Sequence, residues 1–248
     1  MSLEDFDPEA KSFAYHAHAL GLSASLTRPC CETIPSLATA SLSITGGESY
    51  STVRNFDWKG LISFDEASAY ATGSVDNVII DNERRARYNT LSTVTVRNLN
   101  VANMVHADLV VARVTSKHIA GDPEGEITFT GSTIQGLVVA GRHVDVGLDE
   151  RPFLEAPTYD QFVRQHKQAQ VDQNETPNVY CTSLAATLNR EKGCKIPIPE
   201  FGTIYFAQVI MKPGYRRISM LRFELGCPIA GTVEVAGGES NGVEYWPP

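Results

Sequence analysis

Apolar and polar residues alternate with a period of two along most of this chain, and Val, Ile, Thr and aromatic residues fill the apolar places. That pattern predicts half-buried β-strands. It is clearest near the C-terminus, where TIYFAQVIM and RRISMLRFEL flank Lys212-Pro213-Gly214-Tyr215. Pro and Gly at the two inner places suit a type II turn. Folding about that turn sets Ile204 against Phe223, Phe206 against Leu221, and Gln208 against Ser219. One face is then apolar for most of its length, and Tyr205/Arg222 and Met211/Arg216 lie on the other. A register that pairs apolar with apolar across two strands is well specified.

The chain also repeats itself. Residues 51–74 align without a gap on residues 94–117, with seven of 24 positions identical, among them Arg54/Arg97, Asn55/Asn98 and Asp65/Asp108. Ordinary composition gives about one or two such matches by chance. A weaker third copy opens at Ser132 with STIQGLVVAG. Each copy reads as a hairpin, with two-residue turns at Lys59-Gly60, Ala102-Asn103 and Ala140-Gly141; Gly and Asn tolerate the positive φ of such turns. This register sets Arg54 across from Asp65 and Arg97 across from Asp108, while Gln135 and Val146 hold those places in the third copy. The joint loss of both charges suggests a cross-strand ion pair, worth about 0.2–1 kcal/mol and serving register more than stability.

Residues 12–26, 38–44 and 179–188 read as further strands, residues 76–89 as a polar, basic exposed connection, and residues 192–200 as a Pro-punctuated loop. One helix is predicted after Pro157. Thr158 can cap it with Gln161 as the capping-box partner, and Tyr159, Phe162, Val163 and His166 share a face. The fold class predicted is mainly β: an antiparallel sandwich or barrel built from repeated hairpins, with β-prism-like and β-helical forms behind it. It forms a single domain over residues 1–248, with one helical insertion at about 157–177. Such an insertion either completes the core or caps a cavity as a lid.

A formal net charge of −8 and a pI near 5.3 argue against a nucleic-acid partner, which calls for a basic face. No run of about 20 apolar residues occurs, so no membrane span is predicted. The first ten residues are acidic and polar; they predict a cytoplasmic protein, or a secreted one if a leader has been removed. Five cysteines without CxxC or framework spacing fit free thiols in a reducing compartment rather than disulfides or a zinc ribbon. The adjacent Cys30-Cys31 is a candidate thiol site.

Three short pairs carry the candidate chemistry: His16-x-His18, His106-x-Asp108 and His143-x-Asp145. On a strand, i and i+2 project from one face, so each pair can offer two ligands to one ion. Imidazole with carboxylate suits a divalent transition metal such as Zn, Fe, Mn or Ni. The metal set is therefore His16 and His18, beside an apolar lining of Ala14, Leu20 and Leu22, with His106 or His143 as a third ligand. Trp58, next to the first hairpin turn, and Tyr245-Trp246 at the C-terminus are candidate ligand-binding aromatics, of the kind that stack on a carbohydrate. P-loop, GxGxxG and HExxH signatures are absent.

The phrase TVRNLNVANMVHADLVVA (residues 95–112), with its T-[VI]-x-[NG]-[LF] opening, resembles the β-rich repeats of the bacterial choice-of-anchor P family. The resemblance covers roughly a third of the chain. It implies a surface or secreted module with no assigned activity and transfers no site residues. The sequence thus predicts a non-enzymatic structural or ligand-binding β-sheet protein, self-assembling as a homo-oligomer through its strand edges, with a small molecule or carbohydrate as ligand. The alternative is a metal-binding protein or metal-dependent enzyme with a His-rich site on the β scaffold.

Overall fold

The alternating segments form two antiparallel sheets that face one another. The computed structural model describes residues 12–28, 31–165, 179–185, 194–227, 229–241 and 244–245. A two-stranded ribbon joins β1 (Ser12–Phe13) to β17 (Glu244–Tyr245). The next two strands, β2 (Ala17–Arg28) and β3 (Glu32–Ser41), belong to a seven-stranded sheet. The chain then builds an eight-stranded meander from β4 (Gly47–Trp58), β5 (Ile62–Ile80), β6 (Glu83–Val101) and β7 (Val105–Ile119). It is finished by the short β8 (Glu126–Thr128), β9 (Thr133–Gln135), β10 (Val138–Val139) and β11 (Arg142–His143). Helices α1 (Arg151–Glu155) and α2 (Tyr159–Gln165) follow. The chain returns to the first sheet as β12 (Tyr180–Ser183), β13 (Lys195–Ile198), β14 (Gly202–Lys212), β15 (Tyr215–Leu225) and β16 (Ala230–Asn241). The order β12-β14-β15-β16-β2-β3 seats β16 beside β2, so early and late strands share one sheet.

Small side chains line much of the interior: Ala17, Ala19, Ala40, Ala67, Ala69, Ala71, Ala112 and Ala236 are all buried. A methyl group added at Gly21 would lie 3.1 Å from Ala67 Cβ on the opposing sheet, so the sheets touch closely there. Larger residues, Phe64, Leu99, Phe206 and Phe223, fill the rest.

The hairpin of β14 and β15 has the register read from sequence, from Ile204 opposite Phe223 to Met211 opposite Arg216. Its faces differ from that reading. Inward residues run Ile204, Phe206 and then Ala207, Val209, Met211, so the alternation slips at Ala207. Met211 and Arg216 are therefore inside, with Arg216 only 1% exposed. The slip recurs along a whole row. Ala207, Ala236 and Ala38 have positive φ (43°, 53° and 48°), with Met220 and Gly21 between them in register. The other sheet has its own row, Asn55, Asp65, Asn98 and Asp108, all exposed. Asn55 and Asn98 have φ of 53° and 52°, and Gly136, at the aligned place in the third copy, has 63°. A left-handed residue in a strand acts as a bulge and turns the following side chains to the other face. Asn and Gly bear that conformation most readily.

Those rows correct the expected ion pairs. Asp65 and Asp108 fall opposite Asn55 and Asn98, while Arg54 faces Glu66 and Arg97 faces Leu109. The turns sit where they were predicted, with positive φ at Lys59, Gly60, Ala102 and Asn103. Leu61 and Met104, however, follow as extra residues, so Trp58 faces Ile62 and Val101 faces Val105. The whole register moves by one. Arg54 pairs with Glu66 at 3.1 Å, and Asp65 accepts a hydrogen bond from Asn98 Nδ2 at 2.6 Å.

Residues 76–89 are not a connection but the far ends of β5 and β6, turning at Asp81-Asn82 with φ of 51° and 67°. Residues 195–198 of the expected loop form β13, and the first predicted strand is broken at residues 14–16. The capping box of α2 is present: Thr158 Oγ1 accepts from Gln161 N and Gln161 Oε1 from Thr158 N, both at 3.3 Å. His166 and the rest of the expected insertion to residue 177 lie outside the described residues. Phe162 is 2% exposed and stacks on Phe153 of α1, which meets Phe129 edge-on. The described part of the insertion, α2, packs into the core. Buried Arg216 fastens it, donating from Nη1 to the Ile127 carbonyl at 2.5 Å and from Nη2 to the Ala156 carbonyl at 3.1 Å.

Candidate ligand-binding face

Because the inward places of the seven-stranded sheet are apolar, its other face is polar and outward. Toward one end, β15 and β16 bring Tyr215, Arg217, Ser219, Glu234 and Glu239 beside the histidines of the β2 segment. Glu239 is the centre. His16 Nε2 lies 3.0 Å from its Oε1, Tyr215 donates to Oε2 at 2.6 Å, and His18 Nδ1 stands 4.0 Å away. Burial alone would raise the carboxyl pKa. Hydrogen bonds from His16 and Tyr215, with the charges of His16 and Arg217, outweigh it and hold the group at about 2. The Glu239 hydrogen bond raises His16 above its ordinary 6.5, against burial. Burial, followed by the Glu239 hydrogen bond, pushes the Tyr215 hydroxyl well above its usual range. Glu234 accepts two hydrogen bonds from Arg217 Nη2, both 2.7 Å, and one from Ser219 at 2.6 Å. Both carboxylates are thus engaged with neighbours on their own face.

Next to this cluster the face opens into a groove of about 440 Å³ between β2, β3 and β16. Two bulges shape it. Leu22 faces Leu37 but Ala24 faces Ile34, so Pro35 and Ser36 both stand against Ser23. On the other side of β2, Thr27 is the extra residue and donates to the Ala230 carbonyl at 3.2 Å. The lining carries five hydroxyls, from Ser23, Ser25, Thr33, Ser36 and Thr232, together with Arg222 and Glu234. Arg222 is held in place: Nε donates to Gln208 at 2.9 Å, Nη2 to Glu224 at 3.0 Å, and the guanidinium lies 4.5 Å from the Tyr205 ring centre. Its Nη1 makes no hydrogen bond among the described residues.

Residues 13–187 match a family described as a domain of unknown function (DUF8256). The chain belongs to that family. No curated protein and no solved structure gives a significant match. The DUF8256 segment contains β2 and β3 and hence Ser23, Ser25, Thr33 and Ser36, whereas Arg222, Thr232, Glu234 and Glu239 lie beyond it. Both halves are needed to build the groove.

The four histidines proposed as a metal set do not converge. His16 and His18 lie on the outer face of the seven-stranded sheet. His106 and His143 are exposed on the other sheet, opposite Val138 on either side of β10. Strands in two facing sheets turn their outward side chains away from each other, so His106 and His143 supply no third ligand to His16 and His18. Among the described residues no group of three or more His, Cys, Asp and Glu side chains is arranged to hold a metal ion. The apolar lining expected beside His16 and His18 is also reduced, since the slip at Gly21 turns Leu22 into the core. Trp58 lies on the edge strand β4, half-buried, with Lys59 Nζ 4.8 Å from its ring centre. The Tyr245 backbone pairs with Ser12 in the ribbon; its side chain and Trp246 lie outside the described residues. The groove draws on none of these aromatics. Cys31, Cys181 and Cys227 are exposed and Cys194 is buried, while Cys30 lies outside the described residues. No helix among the described residues is long and apolar enough to cross a membrane.

Sequence reading missed Glu239, Glu234, Arg217 and Arg222 as a group. Part of the signal was present, because the C-terminal hairpin register already puts Arg222 on the outer face. The missing step was that β16 docks on β2, a pairing of residues more than 200 places apart that local alternation does not encode.

Proposed function

We propose that this protein is a non-enzymatic β-sandwich binding module whose groove takes a neutral polyhydroxylated ligand of the carbohydrate class. The observation that carries the reading is the lining itself: five hydroxyls beside a guanidinium and a carboxylate that are already charge-compensated by Glu224 and Arg217. Hydroxyls donate and accept alike, so they suit a ligand made of hydroxyls better than an ion. The free Nη1 edge of Arg222 adds a fixed donor. A volume of about 440 Å³ lies within the ~300–1,000 Å³ of ordinary small-molecule sites. The likeness of residues 95–112 to choice-of-anchor P repeats supports a module of this kind.

Calorimetric titration with neutral mono- and oligosaccharides tests the proposal. Saturable binding is expected, weakened about tenfold or more, ~1.4 kcal/mol, in Arg222→Ala and in Ser23→Ala/Thr232→Val. The cooperative unfolding of these variants should be retained. Failure of every neutral sugar to bind, or binding that both variants leave unchanged, overturns it.

A further inference from the structure

The hairpin of β5 and β6 outruns the sheet that carries it. β4 stops pairing with β5 at Gly47 opposite Gly73, and β7 stops pairing with β6 at Ile119 opposite Arg87. From there, among the described residues, residues 74–80 pair only with residues 83–89. The β6 side of this arm is tied down. Arg85 Nε donates to the Ala120 carbonyl at 2.9 Å, Nη2 reaches Asp122 at 2.8 Å, and Ala120 N donates to the Ala86 carbonyl at 2.8 Å. The β5 side is an open edge among the described residues. Val75 and Ile79 stand on one of its faces, 56% and 79% exposed, with Asn77 exposed between them.

Exposed edges are ordinarily blunted by Lys, Pro or a bulge. The segment SVDNVII has no Lys or Pro, pairs with β6 without a register shift, and holds one charge, Asp76, already paired with Arg87 at 2.5 Å. It is also self-complementary. Laid antiparallel on itself about Asn77, it sets Val75 against Ile79, Asp76 against Val78 and Ser74 against Ile80, with no like charges opposed. Two copies then bury four apolar side chains together and satisfy both edges. The turn at the foot of the arm, where Ile44 is 65% exposed, would receive the partner's tip.

We propose that residues 74–80 of two copies pair edge to edge as a two-fold dimer, joining the eight-stranded sheets through their arms. The interface is isologous, as closed dimers are, and with seven residues from each copy it is small, so the dimer is concentration-dependent. Sedimentation of the full chain over a wide concentration range should show a monomer–dimer equilibrium. Ile79→Lys should abolish it while thermal unfolding stays cooperative. A second measurement does not depend on that variant: Asn77→Cys faces itself across the two-fold axis and should give a disulfide-linked dimer on mild oxidation, at several times the yield of the natural exposed cysteines. A monomer at every concentration, a dimer that survives Ile79→Lys, or no cross-linking above the unsubstituted chain would each overturn the proposal.

Discussion

One side chain can serve the backbone and a neighbour at once. Asn98 holds a left-handed backbone and also donates to Asp65. Asn98→Gly keeps the conformation and loses one exposed hydrogen bond, so it should cost well under 1 kcal/mol. Asn98→Val must adopt a conformation that disfavours a β-branched side chain and should cost about 1–2 kcal/mol more. Urea unfolding of the two variants checks this, and equal losses would mean that the left-handed residue does not govern the bulge. Glu239 and His16 make opposite demands on pH. The Glu239 pKa falls from 4.5 to about 2 on folding, so its stabilisation is full above about 4.5 and is lost as pH falls toward 2. The His16 pKa rises from 6.5, so its contribution is full below 6.5 and is lost as pH climbs through the raised value. The pair therefore stabilises most between about pH 4.5 and 6.5, by something on the order of 1 kcal/mol after solvent screening. Glu239→Gln should flatten both limbs of the thermal midpoint against pH; an unchanged acid limb would show that the carboxylate is not the group responsible.

At the scale of elements, much was legible where the signal was local. The β14–β15 register and the α2 capping box both follow from residues a few places apart, and both are present. The first two repeated hairpins had their turns right and their register one place off, because Leu61 and Met104 look like ordinary apolar strand residues although each is the additional residue beside a tight turn; the third, with Val139 opposite Arg142, has the register read from sequence. The arm was misread for a related reason: Arg84, Arg85 and Arg87 make the segment look solvated, yet Arg85 and Arg87 are bound to Asp122 and Asp76. Arg216 was placed outside because strict alternation was carried through Ala207. It is the element-level fastener between β15 and the helices, and burial lowers its pKa to about 10 while Glu124 opposes that shift. Arg216→Met should destabilise by about 2–4 kcal/mol, because the Ile127 and Ala156 carbonyls lose their charged donor inside the core. A loss below about 0.5 kcal/mol in chemical denaturation would mean that the helices are held by Phe153 and Phe162 alone.

For the molecule as a whole, the sequence disclosed the class of fold and not the contact that closes it. Hairpins, composition and the lack of a linker pointed to one β body. The rows of Asn and Ala that kink both sheets, and the Ala and Gly contacts that draw them together, depend on which strands meet across the interior. So does the candidate site. Its hydroxyls come from β2, β3 and β16, its fixed guanidinium from β15, and no window of the sequence contains them together. The histidine pairs were visible precursors of one cluster, but their true partner, Glu239, lies 223 residues from His16.

The seat of β16 beside β2 has a consequence for synthesis. Ala17 pairs with Ser240, so a growing chain exposes the inner edge of β2 until residues 230–240 have been made, while the β4–β7 meander can zip as each hairpin emerges. Contacts between distant parts of a chain form late, and strands left waiting for them invite wrong neighbours. In refolding followed by pulsed hydrogen exchange, amides of β5 and β6 should be protected before those of β16 and the β16-facing amides of β2. Simultaneous protection would refute that order. Chains halted before residue 230 should collect as aggregates, held together by the strand that the missing one would have covered.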